Sequence, residues 1–219
     1  LTHSHPDHIG AAKSIKKEYA CCVYGCQGER DWIEDTELQY KERPIPNFHE
    51  LVEGPVMLDR IIKDKDSICL EPGIDLEVIN SSGHSRESLS FYYRQEQMLF
   101  TGDAIPSADD VPIYENSESS IHTLKRLGSQ GEVRLYCPAW DKVYDKEQGL
   151  HTIDLAISQM ERICNITRQY ADSWRPEMTQ DEVFCLLCRD LEMQKWEKHP
   201  LFKWSVFKDI YRLKEAQEK

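Results

Sequence analysis

The first eight residues, "LTHSHPDH", hold His3, His5, Asp7 and His8 in a stretch too polar to build a core. Imidazole and carboxylate lone pairs at this density ask for a metal ion. In extended chain, residues two apart point to one side, so His3 and His5 project together. A tight turn at Pro6 then lets Asp7 and His8 face the same region, an arrangement that suits two adjacent cations better than one. Two more donors are needed, and His84 and Asp103 stand just after the strand-like segments "IDLEVIN" and "MLFTG".

These segments carry a resemblance. "THSHPDH" resembles the HxHxDH signature of the metallo-β-lactamase-fold hydrolases, "SSGHS" resembles their second histidine loop, and "LFTGDAI" resembles the strand that ends in their bridging aspartate. The matches occur in the family's order, span about residues 1–145, and point to the glyoxalase II-like branch. The resemblance implies an α/β (α+β) fold, an αββα sandwich with a binuclear site along one edge of its sheets. It implies that His3, His5 and His84 hold one metal, that Asp7 and His8 hold a second, and that Asp103 bridges them. Two such ions lower the pKa of a shared water and polarise a carbonyl or phosphoryl oxygen. Asp7 is then the catalytic candidate, orienting that water and shuttling its proton. The implied cofactors are two divalent metal ions, zinc in the first place, with iron or manganese as alternatives.

The chain departs from the pattern at three places. Where the family supplies a last histidine after a proline and a glycine, "YCPAWDKV" places Trp140, and indole has no lone pair for a metal. Asp141 follows it. If Asp141 reaches the site, the second position becomes oxygen-rich and favours iron or manganese; if not, Asp141 is a surface acid and that position is weak. Glu87 stands where the family has a glycine, which implies a shifted loop. The family also has several strands before the first motif, and this chain starts at Leu1, so the sandwich is expected to be N-terminally incomplete, with apolar sheet edges exposed.

The elements that must position these residues follow from periodicity. Ile9 to Tyr19 is a helix by composition, "CCVYGC" a short strand, and 28–55 a helical piece followed by an irregular loop. Strands are expected at "ICL", "IDLEVIN", "LSFYY", "MLFTGDAI" and "VRLYCPAW", with a helix over about Ser117 to Leu127. Beyond Gln148 three helices are expected, one opened by the capping box Thr179 to Glu182. This divides the chain into a metallo-β-lactamase-like part, 1–147, and a helical segment, 148–219. The aromatics Trp174, Trp196, Phe202, Trp204, Phe207 and Tyr211 read as packing, within the chain or in a homodimer built through these helices.

Bulk properties narrow the function. With 39 acidic against 27 basic side chains the net charge is −12, which repels polyanions and makes nucleic acid a poor partner. No apolar run is long enough to span a bilayer, and a cytoplasmic location is expected. The eight cysteines read as buried free thiols, with Cys185-Leu-Leu-Cys188 as helix core. His49, His122, His151 and His199 match no motif and read as surface or packing residues; only the proline-rich loop around His49 could fold over the site. The function that fits is hydrolysis of an ester, thioester or lactone of a small molecule. A phosphodiesterase, for which the basic groove is missing, and a non-catalytic scaffold, suggested by Trp140, are the alternatives.

Overall fold

In the computed structural model, residues 1–107, 110–175 and 177–217 are described. Ahead of the main sheet lie α1 (Pro6–Ile9), α2 (Ala12–Tyr19), β1 (Tyr24–Gly25), α3 (Arg30–Glu34), α4 (Thr36–Glu42), α5 (Phe48–Leu51) and β2 (Arg60–Ile61). The sheet strands are β3 (Ser67–Glu71), β4 (Ile74–Asn80), β5 (Leu89–Tyr93), β6 (Met98–Gly102), β7 (Leu135–Pro138) and β8 (Tyr144–Asp145). Helix α6 (Ser117–Gly128) lies between β6 and β7, and α7 (Lys146–Ser173), α8 (Gln180–Asp190) and α9 (Pro200–Gln217) complete the chain.

The strands run in the order β3-β4-β5-β6-β7-β8, antiparallel except for the parallel pair β6 and β7, which the α6 crossover requires. Alternation along β4 sends Val78 to one face and Ile79 to the other, both buried. Ile79, Tyr92 and Leu99 pack beneath α6, α7, α8 and α9 in the largest core cluster, so sheet and C-terminal helices share one apolar interior. On the opposite face Val78 and Leu89 pack with Cys26, Ile62 and Ile68. There β1 and β2 form a separate two-stranded parallel sheet, and Leu70 (61%) and Phe100 (38%) stay exposed. The expected sandwich is therefore present with a six-stranded main sheet, and apolar positions of that sheet do remain uncovered.

Several local expectations are corrected. Pro6 opens α1 instead of a tight turn, because its fixed φ suits the first helical position and its missing N–H is lost at no cost there. The 28–55 region forms three short helices, with Asp35 capping α4 through Leu38 N. Strand β8 went unread because it has only two residues. Among the cysteines only Cys26, Cys164 and Cys188 are buried; Cys22 and Cys69 are exposed, while Cys21, Cys137 and Cys185 are half-buried. Cys185 thus sits at the margin of the helix core that holds Cys188. The capping box at Thr179 and Glu182 is formed on both sides. No helix among the described residues is long and apolar enough to cross a membrane.

Candidate metal centre

The histidine segments come from three places in the fold. Residues 1–5 run between the start of β5, where Leu89 N donates to Thr2 O at 2.8 Å, and β1, where Leu1 N donates to Tyr24 O at 2.7 Å. His84 sits in the β4–β5 connection, and Asp103 follows β6 directly. The His84 loop is held against α6 by Gly83, whose carbonyl accepts from Glu115 N (2.8 Å) and Asn116 N (3.1 Å).

His3 and His5 are buried, and with His84 they direct three ring nitrogens at one point. His3 Nε2 and His5 Nδ1 are 3.0 Å apart, and His5 Nδ1 and His84 Nε2 are 2.9 Å apart. Nitrogens held about 2.0–2.1 Å from one tetrahedral ion stand roughly 3.3 Å from each other, and both of these separations lie within a few tenths of an ångström of that spacing. His84 Nδ1–H donates to Ile113 O at 2.8 Å, which fixes the tautomer and leaves the Nε2 lone pair facing inward. One proton cannot satisfy three inward lone pairs, whereas a cation can.

A second group lies alongside, formed by His3, His8 and Asp103. Asp103 places Oδ1 3.0 Å from His8 Nε2 and Oδ2 3.4 Å from His84 Nε2, one oxygen toward each group. His8 Nε2 and Asp103 Oδ1 face each other without hydrogen-bond alignment, and both are buried with no hydrogen-bond partner among the described residues. Buried atoms left this way carry a desolvation cost that a shared ion would remove. Asp7 is outside both groups, more exposed, with Oδ2 3.5 Å from His8 Nε2.

Electrostatics favours the neutral imidazole at His3, His5 and His84 and the charged one at His8. Burial holds His3 and His5 well below the usual histidine range, reinforced by neighbouring imidazoles and Arg43. Burial also lowers His84, against the pull of Asp103. For His8 burial acts downward, but the Asp103 and Asp7 carboxylates outweigh it and raise the group. Burial would raise Asp103, yet His8, His84 and the indole N–H of Trp140 hold its carboxyl below the usual range.

Asp141 does not join either group. Its Oδ2 accepts from Tyr144 OH at 2.5 Å and its Oδ1 from Lys142 N at 2.8 Å, so both oxygens are engaged elsewhere. The oxygen-rich second position is therefore not assembled through this residue. His49 turns outward to Glu37 (3.1 Å), and His122, His151 and His199 also lie outside the site. The loop around His49 does reach the cleft, through Arg43, Ile45 and Leu51. So does Leu201 of α9.

Sequence reasoning missed the frame that joins the histidine segments. Glu29 is fully buried; its carboxylate accepts from Ser4 Oγ and from Glu87 N (2.8 Å), while Gln39 Nε2 donates to Ser4 O at 2.6 Å. Glu87 in turn accepts from Gly28 N. The glutamate that replaces the family glycine thus ties the His84 loop to residues 28–29, and Glu29 ties that loop to the first motif. A hydrophilic "QGERD" beside a cysteine gave no local signal of burial.

The comparisons agree with this geometry. The model of the metallo-beta-lactamase superfamily matches residues 1–140. A hydroxyacylglutathione hydrolase of Pelagibacter ubique is 25% identical over 138 residues, 62% of this chain and 48% of that protein. The probable metallo-hydrolase YqgX of Bacillus subtilis is 31% identical over 105 residues, 48% of this chain and 47% of its own length. The chain thus spans about half the length of these curated relatives. Among solved structures, the metallo-beta-lactamase family protein TTHA1429 of Thermus thermophilus superposes with a TM-score of 0.70 at 16% identity, over 99% of this chain and 74% of that one. With its signature histidines brought together, its fold superposing on such a neighbour, and a family match over residues 1–140, this chain belongs to the metallo-β-lactamase superfamily.

Proposed function

We propose that the protein is a metal-dependent hydrolase of a small-molecule ester, thioester or lactone. The observation that carries the reading is the convergence of His3, His5 and His84, with Asp103 presenting one oxygen to this group and one to His8. In this reading His3, His5 and His84 hold one divalent ion, Asp7, His8 and Asp103 serve a second, and zinc suits the nitrogen-rich first position. Bound there, the ions supply an activated water and Lewis-acid polarisation of the scissile carbonyl.

The chain's own residues do the rest. Asp103 fixes the relative placement of the two groups, and His84 is held in its ligating tautomer by Ile113 O. Asp7, at the open side of the cluster and in contact with the cleft, is placed to accept a proton from the attacking water and to return one to the leaving group. The cleft measures about 630 Å³ and is walled by Ile45, Leu51, Ile105 and Leu201, dimensions that suit a small molecule. Relatives named hydroxyacylglutathione hydrolase support an acyl substrate.

Elemental analysis of the purified protein, run with hydrolysis of a generic thioester and a phosphodiester with and without added metal, tests the proposal. Metal in near-stoichiometric amount with metal-dependent thioester turnover is expected. Turnover confined to the phosphodiester, or none after reconstitution, would refute it.

A further inference from the structure

The cleft contains a charged group that metal binding leaves unused. Arg43 caps the C-terminus of α4, and Pro44 after it bars helical backbone there, so the chain turns and aims the side chain inward. The residue is only 5% exposed, yet among the described residues no carboxylate lies within ion-pair distance and its Nε is buried without a hydrogen-bond partner. Its guanidinium lies 5.4 Å from the ring centroid of Trp204 on α9, with the Lys208 ammonium 4.5 Å from the same centroid. Glu115, Asp7, Glu29 and Asp103 act on it from farther away. Among the described residues lining the cleft, Arg43 is the one cationic side chain, and it shares that wall with His5, His84 and Asp103.

A buried guanidinium is seldom left unpaired, because its desolvation is then uncompensated. The cation–π contact with Trp204 holds the guanidinium without using its fork of N–H donors. That fork matches a carboxylate, which it binds through two parallel hydrogen bonds. We propose that Arg43 binds a carboxylate on the substrate and selects acyl substrates that carry one beside the scissile bond. This rests on the hydrolase reading and narrows its substrate class.

The test uses a matched pair, S-acetylthioglycolate and its neutral amide, with the metal-loaded protein, Arg43→Gln and Arg43→Lys. The wild type is expected to prefer the acid. Arg43→Gln should raise KM for the acid about tenfold or more, with kcat little changed and the amide unaffected, the scale of a lost charge-assisted contact. Arg43→Lys should recover part of the preference, since it keeps charge without the fork. Wild-type preference for the amide, or equal losses on both substrates in folded variants, would overturn the inference. Calorimetric titration with glutarate separates this failure from that of the hydrolase reading. Glutarate binding that vanishes in Arg43→Gln supports the inference even if no thioester is turned over; binding that is absent from the wild type or indifferent to Arg43 contradicts it.

Discussion

Gly83→Ala should damage both stability and metal binding, and Gly73→Ala is its control. Both glycines have positive φ, +131° at Gly83 and +87° at Gly73. At Gly73, in the β3–β4 turn, an added Cβ meets nothing within 4 Å, so alanine costs only backbone strain of about 1–2 kcal/mol. At Gly83 the same Cβ would lie 2.3 Å from Ser120 N and 2.5 Å from Ser120 Cα. These are backbone atoms of α6, and relieving the overlap requires loop and helix to separate by about 1 Å. Overpacking of this kind adds about 1–3 kcal/mol to the strain, for a total of roughly 2–5 kcal/mol. The separation also stretches the bonds from Glu115 N and Asn116 N to Gly83 O and carries His84 away from His5. Displacing the loop that orients a ligand is expected to weaken metal binding about 10–100-fold. Urea unfolding of the metal-free proteins and chelator competition of the metal-loaded ones read the two effects. If Gly83→Ala is no more destabilising than Gly73→Ala and binds metal as the wild type does, the claim that α6 positions His84 through Gly83 is wrong.

Three further outcomes follow from the site and its frame. Glu29→Gln puts an amide donor where Ser4 Oγ and Glu87 N both donate, so metal affinity should fall about tenfold or more while helix content by circular dichroism is retained; a change under twofold would dissociate the frame from the ligands. Trp140→His replaces an indole directed at Asp103 with a group that has a lone pair, and elemental analysis should show higher occupancy of the second position; unchanged occupancy would mean this wall is too far from the ion. Burial pushes the Asp64 carboxyl up, but the Asn80 N–H (2.7 Å) and Arg126 (2.6 Å) outweigh it and hold the group below the usual carboxylate range. A lowered carboxyl contributes stability above its unfolded value of about 3.9 and loses it as pH falls through the folded one, so the denaturation midpoints of wild type and Asp64→Asn should differ near neutrality and converge in acid. A constant gap across that range would show that the difference does not come from the charge.

The first motif was legible because its signal is local: His3, His5 and His8 lie within six residues, and spacing alone puts them together. His84 and Asp103 were legible because each follows a strand whose alternation marks its end, as Val78 and Ile79 show by burying on opposite faces. Arg43 and Glu29 were not legible, since both are charged residues in charged surroundings. Their burial depends on partners far away in the chain, Trp204 for one and Ser4 and Glu87 for the other. The same limit explains the cysteines. A thiol such as Cys69 on edge strand β3 has the same apolar flanks as a buried one, and only sheet order shows that its side of the strand is open. Asp141 illustrates the opposite case, in which position in a motif suggested a ligand and a neighbouring tyrosine hydroxyl claimed the carboxylate.

Charge connects the site to its surroundings. The chain carries −12 overall, and among the described residues of the cleft Asp7, Asp103, Asp110 and Asp141 add negative charge against the single positive charge of Arg43. Before any cation is bound the cleft therefore favours divalent metals and disfavours anions, which suits recruitment of the metals first. Two divalent ions would balance those four carboxylates, and with Arg43 the local charge would turn positive. A carboxylate-bearing substrate would then meet a repelling exterior that salt screens over about 8–10 Å and an attracting interior that salt reaches poorly. With the proposed function, metal loading would precede productive substrate binding for an electrostatic reason as well as a chemical one. The low-lying imidazoles of His3, His5 and His84 fit the same order, because a neutral cluster offers lone pairs to a metal without first having to release protons near neutral pH.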